Sequence, residues 1–350
     1  MAAVRKTLVV GGGVIGLTTA RALQSKGVKV VVKCAKPSGE VTSGGSGGYW
    51  MPFHAEAPSL NRWAEETLAR YLVGEDSFCV EAMPAKILYA SSTPPSMPAW
   101  GAGRAKMRLV AGREAMEKEF EGLDVALPEG YESGWVFETV VVDAPRYCAK
   151  LEDLIRRDGG DIEVETVDDL VEEAKRCGAD AVVNCAGLNG ATLAKDDHFD
   201  VVPGRGVVLR YARPSSDKSR LAVVTAHDGP LCASDAEPAY FIPRGDVVVV
   251  GGTYDENDFE DAPRDHEVRR IQQVAATYGG TDFQGQDPLA VWVGHRPVRT
   301  AGVRVEVHPA QQDGITVAHN YGHGGSGYTI AWGCAEDIAD AIVGFRLKKK

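Results

Sequence analysis

An α/β fold follows from three observations on the sequence. Near the start, the apolar, β-branched run Thr7 to Val10 leads into Gly11-x-Gly13-x-x-Gly16 and an apolar-periodic segment, Val14 to Lys26, closed by Gly27. Near the end, Gly322, Gly324, Gly325 and Gly327 separate an apolar strand from a helix, so backbone can come close to a flat ligand where side chains would collide. Between them, from Gly204-Arg205-Gly206 onward, short apolar runs alternate at a spacing that suits an antiparallel sheet. The pattern predicts a Rossmann-like domain with an inserted α+β domain built on that antiparallel sheet.

Each element has its own justification. Val28 to Val32 completes a βαβ unit in which Gly11 and Gly13 allow the tight turn and close phosphate approach, and Gly16 lets helix pack on sheet. A pyrophosphate would rest where Val14 and Ile15 open the helix, at unpaired N–H groups and the positive end of the dipole. The residue ending the second strand is ordinarily acidic, to hold a ribose, but here it is Lys33, followed by Cys34. Ribose recognition therefore cannot be assigned to a strand-end carboxylate, and a 2′-phosphate site for NADPH is the alternative. Ser38 to Gly48 is glycine- and serine-rich and reads locally as a loop. Pro58 to Val73 is amphipathic, with Leu60, Trp63, Leu68 and Leu72 on one stripe, which predicts a packed helix. Residues 79 to 138 mix short apolar runs with proline-rich turns and begin a β-rich part. Helices are expected over Ala144 to Asp158 and Val167 to Arg176, with Ala181 to Gly187 a buried strand ending in a turn. Strands then follow at Val207 to Tyr211, Leu221 to Thr225, Tyr240 to Pro243 and Asp246 to Gly251. A helix over His266 to Thr277, a run from Trp292 to Arg299 and a last helix over Tyr328 to Phe345 complete the chain.

Composition narrows the function. A chain of 350 residues with 44% hydrophobic content can bury a large core. A net charge of -11 argues against nucleic acid or an anionic membrane as partner. The one concentrated basic run, Lys348-Lys349-Lys350, reads as a solvated tail. No stretch approaches the roughly 20 apolar residues of a membrane span, and the N-terminus runs directly into a strand, so a soluble, intracellular protein is expected. Seven scattered cysteines with no C-x-x-C indicate neither a disulfide framework nor zinc, and the eight histidines show no metal-ligand spacing.

His319-Asn320-Tyr321-Gly322-x-Gly324-Gly325-x-Gly327, then Gly333-x-Ala335, resembles the C-terminal signature of the D-amino-acid oxidase family, FAD enzymes that include D-aspartate oxidase. Ala318 replaces the second of two aliphatics usual before the histidine. This signature speaks against NADPH. The resemblance implies a discontinuous FAD-binding domain (1–56, 140–202 and 300–350) and a substrate-binding domain (57–139 and 203–299). It places Thr42 and Ser43 near phosphate-binding hydroxyls and runs Gly48, Tyr49 and Trp50 beneath the flavin. Gly187 closes a strand-end motif similar to that of two-dinucleotide-binding flavoproteins. Some relatives carry a basic residue near Lys33. Thr329, with amides from Gly322 to Tyr328, would face the flavin pyrimidine, where negative charge develops on reduction.

The reaction implied by the resemblance is oxidation of the substrate Cα–N bond, with hydride passing to flavin N5, O2 reoxidising the flavin and H2O2 leaving. Positioning is then the protein's task. Arg296, in Gly294-His295-Arg296-Pro297-Val298-Arg299, matches the family's carboxylate-binding arginine, and Tyr240 the tyrosine that supports it. The Gly325 carbonyl would accept from the substrate amine. Vertebrate-type relatives carry a second, lid tyrosine where this chain has Ala236, near Cys232, Ser234 and Asp235, so that lid chemistry is not carried over. Met51 and the lack of a second arginine in His227 to Ala239 favour neutral D-amino acids. His54 and His227 keep D-aspartate open, and a dehydrogenase with another electron acceptor is a further alternative. Relatives are commonly peroxisomal and often homodimers, but this chain ends Leu347-Lys348-Lys349-Lys350 without a peroxisomal address, which leaves the cytoplasm as the other expectation.

Overall fold

The apolar run at the N-terminus forms β1 (Lys6–Val10), buried from Thr7 onward, and Gly11 turns the chain at φ +127° into α1 (Val14–Ser25). Gly27 reverses it again into β2 (Lys29–Cys34). This computed structural model describes residues 6–73, 79–196, 201–214, 221–232, 238–309 and 311–347. A short α2 (Thr42–Gly45) leads to α3 (Leu60–Val73), β3 (Val80–Tyr89), β4 (Arg108–Ala111), α4 (Arg113–Phe120) and β5 (Ser133–Val142). Next come α5 (Ala144–Arg157), β6 (Asp161–Val164), α6 (Leu170–Arg176), β7 (Ala181–Asn184) and α7 (Gly190–Ala194). A run of strands follows: β8 (Val201–Ala212), β9 (Val223–Ala226), β10 (Ala239–Arg244), β11 (Val247–Gly251) and β12 (Asp255–Glu256). The chain ends with α8 (Asp265–Gly279), β13 (Ala290–Arg299), β14 (Arg304–Val307), β15 (Thr316–Tyr321) and α9 (Gly327–Leu347).

Two sheets result. The first has six strands in the order β14-β15-β7-β1-β2-β6, parallel except for the edge strand β14. Helices cover both faces, which is why its parallel strands read as apolar runs rather than alternating ones. The second has nine, in the order β12-β8-β11-β10-β9-β3-β5-β4 with β13 along the other side of β8, and only its β3–β9 pair is parallel. One core lies between the two sheets and runs under α1, α3, α5 and α9; another fills the far face of the second sheet beneath α8 and α4.

The strands of the first sheet come from three separated stretches, and those of the second from residues 80–142 and 201–299. Helix α3, which the expected division puts with the substrate-binding part, instead packs on α9. Gly333 makes this possible: a Cβ there would lie 2.4 Å from Cα of Trp63, and its N–H donates to Thr67 Oγ1 at 3.1 Å. The predicted stripe on α3 needs one correction. Tyr71, not Leu72, is the buried residue, because its hydroxyl reaches the Tyr328 carbonyl at 2.8 Å, while Leu72 stays 47% exposed. Helix α6 starts three residues later than its periodicity predicts. Asp169 caps it, accepting from the N–H groups of Val171 and Glu172 at 2.9 and 3.1 Å.

Candidate active site

The parallel strands β6, β2, β1, β7 and β15 all end at one cavity of about 590 Å³, whose opposite wall comes from β8, β9, β10 and β13. In open α/β sheets that is where ligands bind, in the crevice beyond the carboxyl ends of the strands. Val10, Gly11 and Gly13 line it from one end of the chain and Gly324, Gly325, Gly327 and Tyr328 from the other.

The turn after β1 has no room for side chains. A Cβ on Gly11 would lie 2.2 Å from the Cys185 carbonyl oxygen, and one on Gly16 1.9 Å from that of Gly11. Gly13, Val14 and Ile15 line the cavity, whereas Gly16 serves the packing of α1 on the strands. Ser43 comes to the start of α1, its Oγ accepting from Val14 N–H at 3.0 Å. Thr42 instead donates to the His295 carbonyl at 3.0 Å, and Gly45 sits under the Trp292 indole where a Cβ would meet Nε1 at 1.9 Å. The turn at α2, which reads locally as a loop, therefore seats the strand that carries Arg296. Gly187, at φ +58°, also lines the cavity.

Residues 48–50 run along β5, with Val142 N–H donating to Gly48 and Trp50 N–H to Val140. Gly48 and Tyr49 line the cavity. Trp50 does not face it: its side chain is fully buried against Trp100, with Nε1 donating to the Ala64 carbonyl at 3.0 Å. Thr329 also differs from expectation. Its hydroxyl donates to Met51 C=O at 2.9 Å and accepts from Met51 N–H at 3.2 Å, so it joins α9 to the 48–53 stretch instead of facing the cavity. Gly322 lies against the Arg299 stem, outside the cavity wall. Gly325 lines the cavity close to Phe53, and Tyr328 lines it while its hydroxyl turns to the carbonyls of Ser43 and Ala144.

Arg296 and Tyr240 meet across the second sheet. Arg296 stands opposite Gly204 on β8 and donates through Nη1 to the carbonyls of Gly204 and Thr253 at 3.3 and 3.2 Å. Among the described residues no carboxylate pairs with it. Its guanidinium occupies the space a Cβ on Gly206 would fill, 2.2 Å from Nη1. Tyr240 lies over Gly251 and Gly252 in the same way, with a Cβ on Gly252 only 2.4 Å from its hydroxyl. Burial raises the Tyr240 phenol above its ordinary pKa, with Arg296 opposing, so it remains a protonated donor. The Pro297 carbonyl accepts from Gly324 N–H at 2.8 Å, which fixes the arginine strand to the glycine loop. Tyr254, which no sequence signal marks, lies beneath Arg296 at 5.9 Å and stacks on His54 at 4.1 Å. His54 is pulled down to about 4 by burial, with Arg296 and His227 adding to it, and burial lowers His227 as well.

Lys33 lines the cavity, but its ammonium is bonded to Glu165, Glu173 and Glu163. It has no free hydrogen-bonding capacity for a 2′-phosphate. The expected lid position, Ala236 with Ser234 and Asp235, lies outside the described residues, as does the lysine tail 348–350. Among the described residues no cluster of potential metal ligands occurs, and no helix is long and apolar enough to cross a membrane.

The family model for FAD dependent oxidoreductases matches residues 6–341. This chain belongs to that family. It is 32% identical to a D-amino-acid oxidase of Rubrobacter xylanophilus over 347 residues, 98% of this chain and 97% of the relative. It is 28% identical to a human D-aspartate oxidase, covering 95% of this chain and 93% of the relative. Its fold is similar to that of glycine oxidase from Bacillus cereus, with a TM-score of 0.77 and 18% identity over 97% of this chain and 95% of the other. An FAD-dependent oxidoreductase needs a long cleft open to backbone at the phosphate end and around a flat ring, and the two glycine clusters here supply it. Buried polar atoms of Tyr49 and His323, both residues of the cavity wall, have no partner among the described residues, as expected of a wall built around a large polar ligand.

Proposed function

We propose that this FAD-dependent oxidoreductase oxidises D-amino acids with neutral side chains, water and O2 entering and the 2-oxo acid, ammonia and H2O2 leaving. The observation that carries the reading is the half-buried Arg296, unpaired by any described carboxylate, beside the phenol of Tyr240 and inside the cavity of the cofactor. A guanidinium so placed fits an α-carboxylate through two parallel hydrogen bonds, and the phenol adds a third. Bound FAD supplies the acceptor for hydride from substrate Cα. The chain's own residues fix where that carbon sits: Arg296 and Tyr240 hold the carboxylate, and the Gly325 carbonyl accepts from the amine. We further assign the phosphate end of FAD to Gly11, Gly13, Val14, Ile15 and Ser43, and its ring end to Gly48, Tyr49, Gly324, Gly325, Gly327 and Tyr328.

The preference for neutral side chains rests on His54 and His227. Both are uncharged at neutral pH, so neither offers the second cation that a buried β-carboxylate requires. Anaerobic D-alanine should bleach the yellow protein while L-alanine leaves its spectrum unchanged, and under air H2O2 should accumulate. Arg296→Ala should raise KM for D-alanine by roughly a hundredfold, two charge-assisted bonds being lost, in a protein that stays yellow. A normal KM in that variant would remove the clamp, and a higher kcat/KM for D-aspartate than for D-alanine would remove the neutral preference.

A further inference from the structure

At the ends of β2 and β6 the cavity wall holds a cation among carboxylates. Lys33 occupies the position at which a Rossmann-like fold ordinarily carries an acid for the ribose 2′-hydroxyl. Its side chain is 3% exposed, and its Nζ lies 2.6 Å from Glu165, 2.6 Å from Glu173 and 3.0 Å from Glu163. Arg176 joins the cluster, bonding Glu165 and Glu173. Three carboxylates thus face two cations, and the surplus is negative, the opposite of what a 2′-phosphate requires. Burial would lower the Lys33 ammonium, but its bonds to the three carboxylates outweigh that and raise it, so the lysine stays charged.

Only one of the three carboxylate residues, Glu165, lines the cavity. Parallel pairing sets Lys33 opposite Glu163 and Cys34 opposite Val164, and Glu165 N–H then donates to the Cys34 carbonyl at 2.9 Å. Glu165 is therefore held beside the end of β2, one strand over from the usual acid. A carboxylate accepts about four hydrogen bonds. Lys33 takes one at Oε2 and Arg176 one at Oε1, which leaves each oxygen able to accept another. Bonds to Lys33 and Arg176 hold this carboxyl below its ordinary pKa, so at neutral pH it is an acceptor.

We propose that Glu165 is the ribose-binding acid of this chain, its carboxylate oriented by Lys33 and Arg176 to accept from the 2′-hydroxyl of the FAD adenosine. The lysine that replaces the strand-end acid does not reverse the chemistry of the site; it carries in an acid from the neighbouring strand. The inference rests on the reading that FAD lies in this cavity with its phosphates at α1.

The test is a binding measurement on apoprotein, titrated with FAD and with its 2′-deoxyadenosine analogue and followed by quenching of flavin fluorescence. Wild-type protein should bind the deoxy analogue roughly tenfold or more weakly than FAD, the loss of one bond to a charged acceptor. Glu165→Gln should bind FAD weakly by a similar factor and should discriminate between the two ligands by less than about twofold. Glu40→Gln, which alters another cavity-lining carboxylate, should retain full discrimination. Equal binding of both ligands by wild type, a Glu165→Gln penalty that is the same for both, or loss of discrimination in Glu40→Gln would each overturn the assignment. A wild-type chain that takes up neither ligand would instead remove the reading of the cavity on which the assignment rests.

Discussion

A Cβ on Gly206 would lie 2.2 Å from Nη1 of Arg296, and the atom it would meet is the far end of a flexible side chain. Gly206→Ala is thus tolerable to the fold but not to the position of the guanidinium. If Arg296 holds the substrate carboxylate as proposed, a displacement of about 1 Å there costs roughly ten- to a hundredfold in kcat/KM. Steady-state kinetics on D-alanine should show that loss, carried mainly by KM, while thermal denaturation moves by no more than a few degrees. Unchanged kinetics would mean that the glycine serves the sheet and not the site. The same logic separates Gly206 from Gly11, where the obstructing atom is the Cys185 carbonyl and substitution threatens the fold itself.

Elements in this chain are joined by a few buried polar bonds, and one such group ties α8 to the second sheet. Arg205 on β8 is fully buried and meets Glu267 of α8 at 2.6 Å, with the carbonyls of Glu260 and Ala262 taking its other N–H groups. Glu267→Ala would leave a buried guanidinium short of its main counter-ion, at a cost of about 3 kcal/mol, the low end for a broken buried pair because Asp255 and the carbonyls remain. Urea denaturation should show a correspondingly lower midpoint; a shift below about 1 kcal/mol would show that water or Asp255 replaces the glutamate. Such ties also explain what could be read in advance. The glycine fingerprint, the arginine before Pro297 and the glycine loop are local patterns with fixed spacing, so each was visible in the sequence. Gly206 beneath Arg296, Tyr254 beneath the same guanidinium and Glu165 beside Lys33 depend on which strands become neighbours and in what register. Thr329 shows the same limit: a hydroxyl at a helix start suggests a ligand, but its partner is the backbone of Met51, at the other end of the chain.

Over the whole molecule, buried histidines set the response to acid. His319 and His323 are pulled down to about 3, both by burial, with Arg304 next in effect on His319; His54 is pulled down to about 4. In the unfolded chain these imidazoles titrate near pH 6.5. Between about pH 6.5 and 4 the unfolded state therefore binds protons that the folded state does not, and stability rises with pH across that window. Their contribution is complete above about pH 6.5 and is withdrawn as the solution is acidified, at up to roughly 1.4 kcal/mol per pH unit for each group. Carboxylates held below their ordinary values, such as Glu173 and Asp337, act in the same direction but only nearer pH 4, where their unfolded forms begin to protonate. Loss of stability from pH 6.5 to 5 thus belongs to the histidines. Urea midpoints of the holoenzyme should fall over that interval, and His319→Asn should reduce the fall by about one proton's worth. An unaltered slope in that variant would show that His319 already carries a proton in the folded protein, which would demand an anion beside it.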